Sequence, residues 1–302
     1  MHFNFTLKIP YNPITDMKKS FNLLFQIKME ILSMKKYIFL FILFFVSHFL
    51  HDQFAESVRS IRPGNTMGVW TVGKGVLQVQ QFLRFSSVES TSSRITDSNL
   101  GNLVRLGITE RFEVQAIGNF VGSRLKSLDG TFEPSTESGI SGLLLGARYH
   151  LGNPLGEEFF KSAIQVRVNL PHESDISKID YLRTTVTLAL GQKLTDRFRL
   201  NTAFGYQINS DDLVDNVFNL GIRANFTINE KSSLILEHFG TFINNNYVDG
   251  FDAGVDYIIS DNVKVDLSAG WRNFPTVRSN FGVLGITYRF HKRDKIVSGK
   301  HI

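Results

Sequence analysis

The chain has no cysteine among its 302 residues. That excludes a disulfide framework, an iron–sulfur cluster and a thiolate zinc site. It also lacks the repeated apolar runs of about 20 residues that a bundle of membrane-spanning helices needs. Its mean hydropathy of −0.05 agrees. A near-zero mean still leaves room for a transmembrane β-barrel, whose strands alternate apolar and polar residues. The EF-hand loop, the phosphate-cradling P-loop and the HExxH pair are all missing, and no metal or cofactor is expected. Downstream of residue 56 no segment stands out with helical periodicity. Charge is sparse at 20% against 42% hydrophobic residues, which is too apolar for a disordered chain. Tryptophan is scarce at 2, whereas phenylalanine is plentiful at 27.

The one long apolar run is Tyr37 to Leu50, preceded by Met34, Lys35 and Lys36 and followed by the polar stretch HDQFAES. A basic start, a short apolar middle and a polar end describe a secretory signal peptide over 34–55, with Ala55 the best small residue for cleavage. Residues 1–33 read as a mis-assigned start or an unusually long basic lead. The alternative is an uncleaved anchor helix. Residues 1–55 carry 6 Lys/Arg and 3 Asp/Glu, so removing them leaves 27 basic and 25 acidic residues of the original 33 and 28. The pI of about 9.3 is then a weak argument for nucleic acid, and export speaks against it. No nucleic-acid partner is expected.

The rest of the chain alternates. Phe198, Leu200, Thr202, Phe204, Tyr206 and Ile208 fall on one face, and Arg199, Asn201, Ala203, Gly205 and Gln207 on the other. The pattern repeats with Phe218–Phe226 and with Val263–Trp271. It predicts roughly twelve strands, near 75–85, 100–108, 111–121, 139–150, 159–170, 180–191, 197–208, 216–227, 233–242, 248–259, 263–272 and 280–290. About ten residues each is what a tilted strand needs to cross a bilayer. Short polar turns such as Thr109-Glu110 and Ser260-Asp261-Asn262 alternate with longer Ser-, Thr-, Asn- and Asp-rich connections. The expected fold is all-β: an antiparallel up-and-down transmembrane barrel over 75–290, with short periplasmic turns. Aromatics then form two girdles. Phe112, Tyr149, Phe160, Phe198, Phe226, Tyr257, Tyr288 and Phe290 sit at the periplasmic ends, and Phe85, Phe120, Tyr206, Phe218, Phe242, Phe251 and Trp271 at the outer ends. A soluble β-sandwich is the competing architecture, and its aromatics would gather on an inner face instead.

Charges avoid lipid, where Arg or Lys at the midplane costs about 2–4 kcal/mol. This parity turns Arg84, Arg105, Arg148, Arg167, Arg183, Arg199, Arg223, Arg272 and Arg289 into the lumen. Glu113, Glu237, Asp252, Asp256 and Asp266 face them, with Lys264 among the acids. Two readings follow. The charges pair across the lumen and stiffen the barrel, or Arg105, Arg148 and Arg199 line a constriction that discriminates by charge. Residues 56–74 precede the first strand and are too polar to span a membrane. They are either a plug inside the lumen, with Arg62, Pro63, Val69 and Trp70 as candidates, or a periplasmic leader.

Three stretches carry a family resemblance: Arg62-Pro63-Gly64-Asn65-Thr66, Val72-Gly73-Lys74-Gly75-Val76-Leu77-Gln78-Val79, and Leu103-Val104-Arg105-Leu106-Gly107-Ile108-Thr109-Glu110-Arg111-Phe112-Glu113-Val114. Together they resemble the bacterial outer-membrane transporter family labelled "putative MetA-pathway of phenol degradation". The likeness is sharp over 62–115 and diffuse to 290. Three departures stand out. Ile61 occupies the place of a frequent acidic residue, Leu170-Pro171-His172-Glu173 stands where many members carry Pro-Thr-Gly after a middle strand, and a basic tail over 291–302 follows the aromatic end Tyr288-Arg289-Phe290. The resemblance implies a barrel that moves small hydrophobic or aromatic compounds.

The expected function is thus a passive outer-membrane channel without cofactor. Its expected partners are outer-membrane lipid and lipopolysaccharide, the barrel-assembly machinery and a small apolar solute, and the expected state is a monomer. A structural or adhesive barrel is the alternative. An outer-membrane hydrolase fits less well: His238 and Glu237 are neighbours on a strand and face opposite sides, and Asp252 and Asp256 stand ~13 Å apart along theirs.

Overall fold

The structure is a computed structural model that describes Val58, Ser60 and residues 64–290, apart from 153–159, 175, 212–213, 244–245 and 276 with its neighbour 275. The expected signal peptide at 34–55, the lead at 1–33, the tail at 291–302 and the candidates Arg62 and Pro63 lie outside the described residues.

Among the described residues fourteen strands follow one another: β1 (Leu77–Glu89), β2 (Ser93–Gly107), β3 (Phe112–Ser127), β4 (Ser135–Gly152), β5 (Lys161–Asn169), β6 (His172–Ser174), β7 (Ser177–Ile179), β8 (Arg183–Lys193), β9 (Phe198–Asn209), β10 (Val217–Thr227), β11 (Ser232–Ile243), β12 (Asn246–Ser260), β13 (Val263–Asn273) and β14 (Arg278–Arg289). Twelve of them close an antiparallel barrel, each pairing with its neighbour in sequence, and β14 returns to β1. The closing seam is in full register from Gln78 opposite Arg289 to Glu89 opposite Arg278. Closure leaves no open edge, which hydrocarbon does not tolerate.

The alternation decides which side chains meet lipid. On β13, Leu267 is 56% exposed and Ser268 only 3%. Val255 and Leu284 flank Leu267 on the adjoining strands and are exposed too, so an aliphatic belt surrounds the barrel. The aromatic rows flank that belt, and the register pairs many of their members directly: Phe112 with Tyr149, Phe198 with Phe226 and Tyr206 with Phe218, Phe251 with Trp271. This matches the sequence expectation of two girdles.

Two features differ from the expectation. The connections expected near 86–99 and 122–138 are largely strand, with only residues 90–92 and 128–134 left as turns. Their polar sequences hid this, because β1 to β4 continue past the bilayer as water-facing ladders that need no apolar face. The connection near 171–179 folds as the β6–β7 hairpin. It lies against β4, where Ser174 Oγ donates to the Ile140 carbonyl at 2.7 Å, on the side of Gly139 rather than that of lipid-facing Ile140.

Candidate functional site

The chain before β1 enters the barrel. Val58 N donates to the Asp261 carbonyl in the periplasmic β12–β13 turn. By Asn65 and Thr66 the chain has reached Glu237, midway along β11. At Thr71 it is back at a periplasmic turn, where its hydroxyl donates to the Glu110 carbonyl at 2.6 Å. Gly73 and Gly75, at φ of 90° and 70°, then turn it into β1. Left-handed backbone of this kind is open to glycine at little cost.

The mid-barrel anchor is a carboxylate. Glu237 Oε1 accepts the backbone N–H of Asn65 at 2.7 Å and of Thr66 at 2.6 Å. Asn65 Nδ2 donates to Asp252 Oδ2 at 3.2 Å. Glu237 stands opposite Arg223 on one side and Asp252 on the other. Gly64 allows the approach: its φ is +109°, and a Cβ there would meet Glu237 Oε2 at 2.0 Å.

The periplasmic anchor is a charge cluster. Glu113 accepts from Arg105 Nε at 2.9 Å and Nη2 at 2.8 Å, and from Val72 N at 2.8 Å. Arg148 Nε lies 3.8 Å from the same carboxylate. Both guanidiniums also donate to the Trp70 carbonyl, Arg105 at 3.0 Å and Arg148 at 2.9 Å. Gln165 accepts from Arg148 and donates to Gln115. His150 Nδ1 is 3.0 Å from the Val69 carbonyl, which can only accept, so this nitrogen carries the proton. The Trp70 ring stacks on His150 with a 3° interplanar angle, and Lys161 Nζ lies 3.9 Å from its centroid.

Between the anchors the side chains of the segment pack against the barrel wall. Met67 and Val69 form a buried cluster with Ala163, Ala189 and Ala203, and Trp70 packs beside it. Small lumenal residues admit this chain. A Cβ on Gly107 would come within 1.7 Å of the Gly73 carbonyl oxygen, and one on Gly221 within 2.4 Å of Thr66 Oγ1.

The sequence-derived candidates therefore distribute as follows. Arg105, Arg148 and Glu113 come together; Arg223, Glu237 and Asp252 share a second level; Asp256 pairs with Lys264 at 2.5 Å. Asp266 faces Asp256 in register. Arg199 does not join Arg105 and Arg148; it lines the cavities nearer the periplasm. His238 and Glu237 do face opposite sides, with the imidazole ring 6.4 Å from Tyr247. Asn65, Thr66, Gln115, Gln165 and His150 were not singled out for the site in the sequence. The available signal was the run of small residues at lumen-facing positions.

Cavities lie on both sides of the segment. On its outer side lies a cavity of ≈ 300 Å³ bounded by Thr66 and Met67. On its periplasmic side lie cavities of ≈ 620 and ≈ 270 Å³, both reaching Trp70 and Arg199. The outer cavity shares no lining residue with either of them.

The sequence pattern of the family described as "Putative MetA-pathway of phenol degradation" matches residues 60–290. No curated protein matches the chain in sequence. Among solved structures, the COG4313 outer membrane channel from Pseudomonas putida F1 superimposes with a TM-score of 0.60 at 12% identity, covering 76% of this chain and 100% of that one. A KdgM porin in complex with disordered oligogalacturonate gives 0.47 at 12% identity over 70% and 99%. The CymD monoaromatic hydrocarbon channel gives 0.44 at 11% over 74% and 90%. A closed barrel with a lipid belt and paired aromatic rows places the protein in the bacterial outer membrane. The chain belongs to the outer-membrane barrel family described as "Putative MetA-pathway of phenol degradation".

Proposed function

We propose that the protein is a passive channel for small hydrophobic or aromatic compounds, and that the segment over 56–74 is its plug. The carrying observation is the position of the segment: Thr66 to Trp70 line cavities on both sides of it, and the outer one shares no lining residue with the two inner ones. The family's description supports a phenolic or similarly apolar cargo. The lumenal charges supply anchoring and ion pairs rather than a nucleophile beside a base, and this favours transport over hydrolysis. The reading takes the barrel as a monomer, set in lipid and lipopolysaccharide by the barrel-assembly machinery.

The absence of native cysteine gives a clean test. A Cβ at Gly221 would lie 3.1 Å from Thr66 Cβ, a few tenths of an ångström short of the roughly 3.5–4.5 Å that a disulfide spans. In vesicles, the Thr66→Cys/Gly221→Cys protein should pass a small aromatic solute when reduced and stop passing it when oxidised. Equal flux in both states overturns the plug. Flux no faster than through empty lipid, even with residues 56–74 deleted, overturns the channel and leaves a structural barrel.

A further inference from the structure

The outer cavity differs in charge from the rest of the lumen. Arg84, Arg167 and Arg272 line it, and among the described residues no aspartate or glutamate does. The periplasmic cavities are mixed by comparison: Arg199, Arg223 and Lys264 share one with Glu230 and Asp256. Elsewhere the acids are engaged, Glu113 by Arg105, Glu237 by the inner segment and Asp256 by Lys264.

One aromatic ring lines the same cavity on one side, backed by others. Phe239 lines it and packs with Phe281, Val283 and Phe82 in a cluster facing the lumen. The arginines lie along these rings, with Arg84 Cζ 4.2 Å from the Phe281 centroid and Arg272 Cζ 6.0 Å from that of Phe239. Cation–π contact of this kind sets a guanidinium beside an apolar wall. Arg272 Nη2 donates to Thr241 Oγ1 at 2.7 Å. The Nε atoms of Arg167 and Arg272 are buried and have no hydrogen-bond partner among the described residues.

We infer that this cavity is a binding site for a monocyclic aromatic carboxylate. The inference rests on the channel reading and narrows its cargo. A neutral ring such as a phenol would fill the aromatic side and leave the buried Nε–H donors of Arg167 and Arg272 without an acceptor. A small inorganic anion would accept from them and leave the aromatic side empty. A ring bearing one carboxylate does both, and the carboxylate geometry suits the guanidinium fork. The cavity of ≈ 300 Å³ sits at the small end of ligand sites, which suits one ring and not a fused system. The Thr66–Met67 turn closes it below, so an arriving ligand rests on the segment proposed as the plug.

The test measures binding and transport separately on the full-length protein. In detergent micelles, equilibrium dialysis with labelled benzoate should show saturable binding at least about tenfold tighter than acetate or benzyl alcohol. Arg167→Gln/Arg272→Gln should weaken benzoate binding by about tenfold or more, with Arg272→Gln alone giving part of the loss. The gel shift between unboiled and boiled samples reports that each variant is folded, and the single variant carries the comparison if the double one is not. Removing the charge of Arg94, which pairs with Glu89 at the exposed rim, should leave binding unchanged. Benzoate binding no tighter than acetate, or unchanged in folded Arg272→Gln and double variants, overturns the site. Flux of neutral aromatic solutes without benzoate binding overturns the site and keeps the channel. Benzoate binding that meets the expectations without flux of any solute keeps the site and overturns the channel.

Discussion

The two anchors of the inner segment hold the same strand leader by opposite chemistry. At mid-barrel a carboxylate, Glu237, accepts two backbone N–H groups. At the periplasmic end two guanidiniums, Arg105 and Arg148, donate to one backbone carbonyl, with Glu113 holding both. The periplasmic anchor also ties strands β2, β3, β4 and β5 together through Gln115 and Gln165. The mid-barrel anchor ties the segment to β11 through Glu237 and to β12 through Asp252. The first is therefore part of the barrel's own stability, and the second can be lost while the barrel stays closed. A plug built this way would release at its mid-barrel turn first, pivoting about Trp70.

The largest expected effect comes from Glu113→Ala. It strands Arg105 and Arg148 in a buried site, and breaking a buried ion pair from one side costs about 3–5 kcal/mol. The denaturant midpoint of the refolded barrel should fall accordingly, and an unchanged midpoint would show that the cluster is not structural.

Glu237→Ala comes next. Hydrogen bonds to a charged acceptor contribute about 1.5–3 kcal/mol, and here the loss should fall on the segment. Protease added from the periplasmic side should cut near Asn65 faster, with the barrel's denaturant midpoint shifting less than in Glu113→Ala. Equal midpoint shifts in both variants would erase the distinction between the anchors.

A smaller, steric version is Gly221→Ala. Its methyl group would meet Thr66 Oγ1, and such overpacking costs about 1–3 kcal/mol, toward the low end where a loop can shift. Solute flux should rise without a change in strand content by circular dichroism.

The smallest effect concerns selectivity. Arg105 and Arg148 are engaged by Glu113 and Trp70, so any weak anion preference on the periplasmic side should follow Arg199, which lines both inner cavities. Arg199→Gln should reduce that preference in single-channel recordings. Because screening acts over about 10 Å at 0.1 M salt, the preference should also fade as salt rises. A preference insensitive to both would place the selective charges elsewhere.

How legible was the site? The face of every lumenal candidate followed from parity, because one residue's shift moves a whole strand's side chains to the other face. Leu267 outward and Ser268 inward needed nothing more. Which lumenal residues share a level was not legible. Arg105 meets Glu113 through a local hairpin, eight residues apart. Arg148 meets Gln165 and Trp70 only once register is set, 17 and 78 residues apart. The position of the inner segment was left open between plug and leader for the same reason. Its polar residues suit water or a polar lumen equally well, and only the narrow, glycine- and alanine-lined interior receives it. The β6–β7 hairpin escaped notice because three-residue strands carry too little alternation to register.

The sequence alone determined a chain of bilayer-length alternating segments, with lipid-facing apolar residues, lumenal charges and aromatic borders. Those properties are written at a period of two residues, and hydrocarbon enforces them strand by strand. Only the tertiary structure decided that Thr66 stands against Gly221, that Trp70's carbonyl sits between two arginines, and that three arginines share a cavity with Phe239. Those contacts depend on the register summed around a closed ring of strands, from β1 back to β14. No local pattern contains that sum.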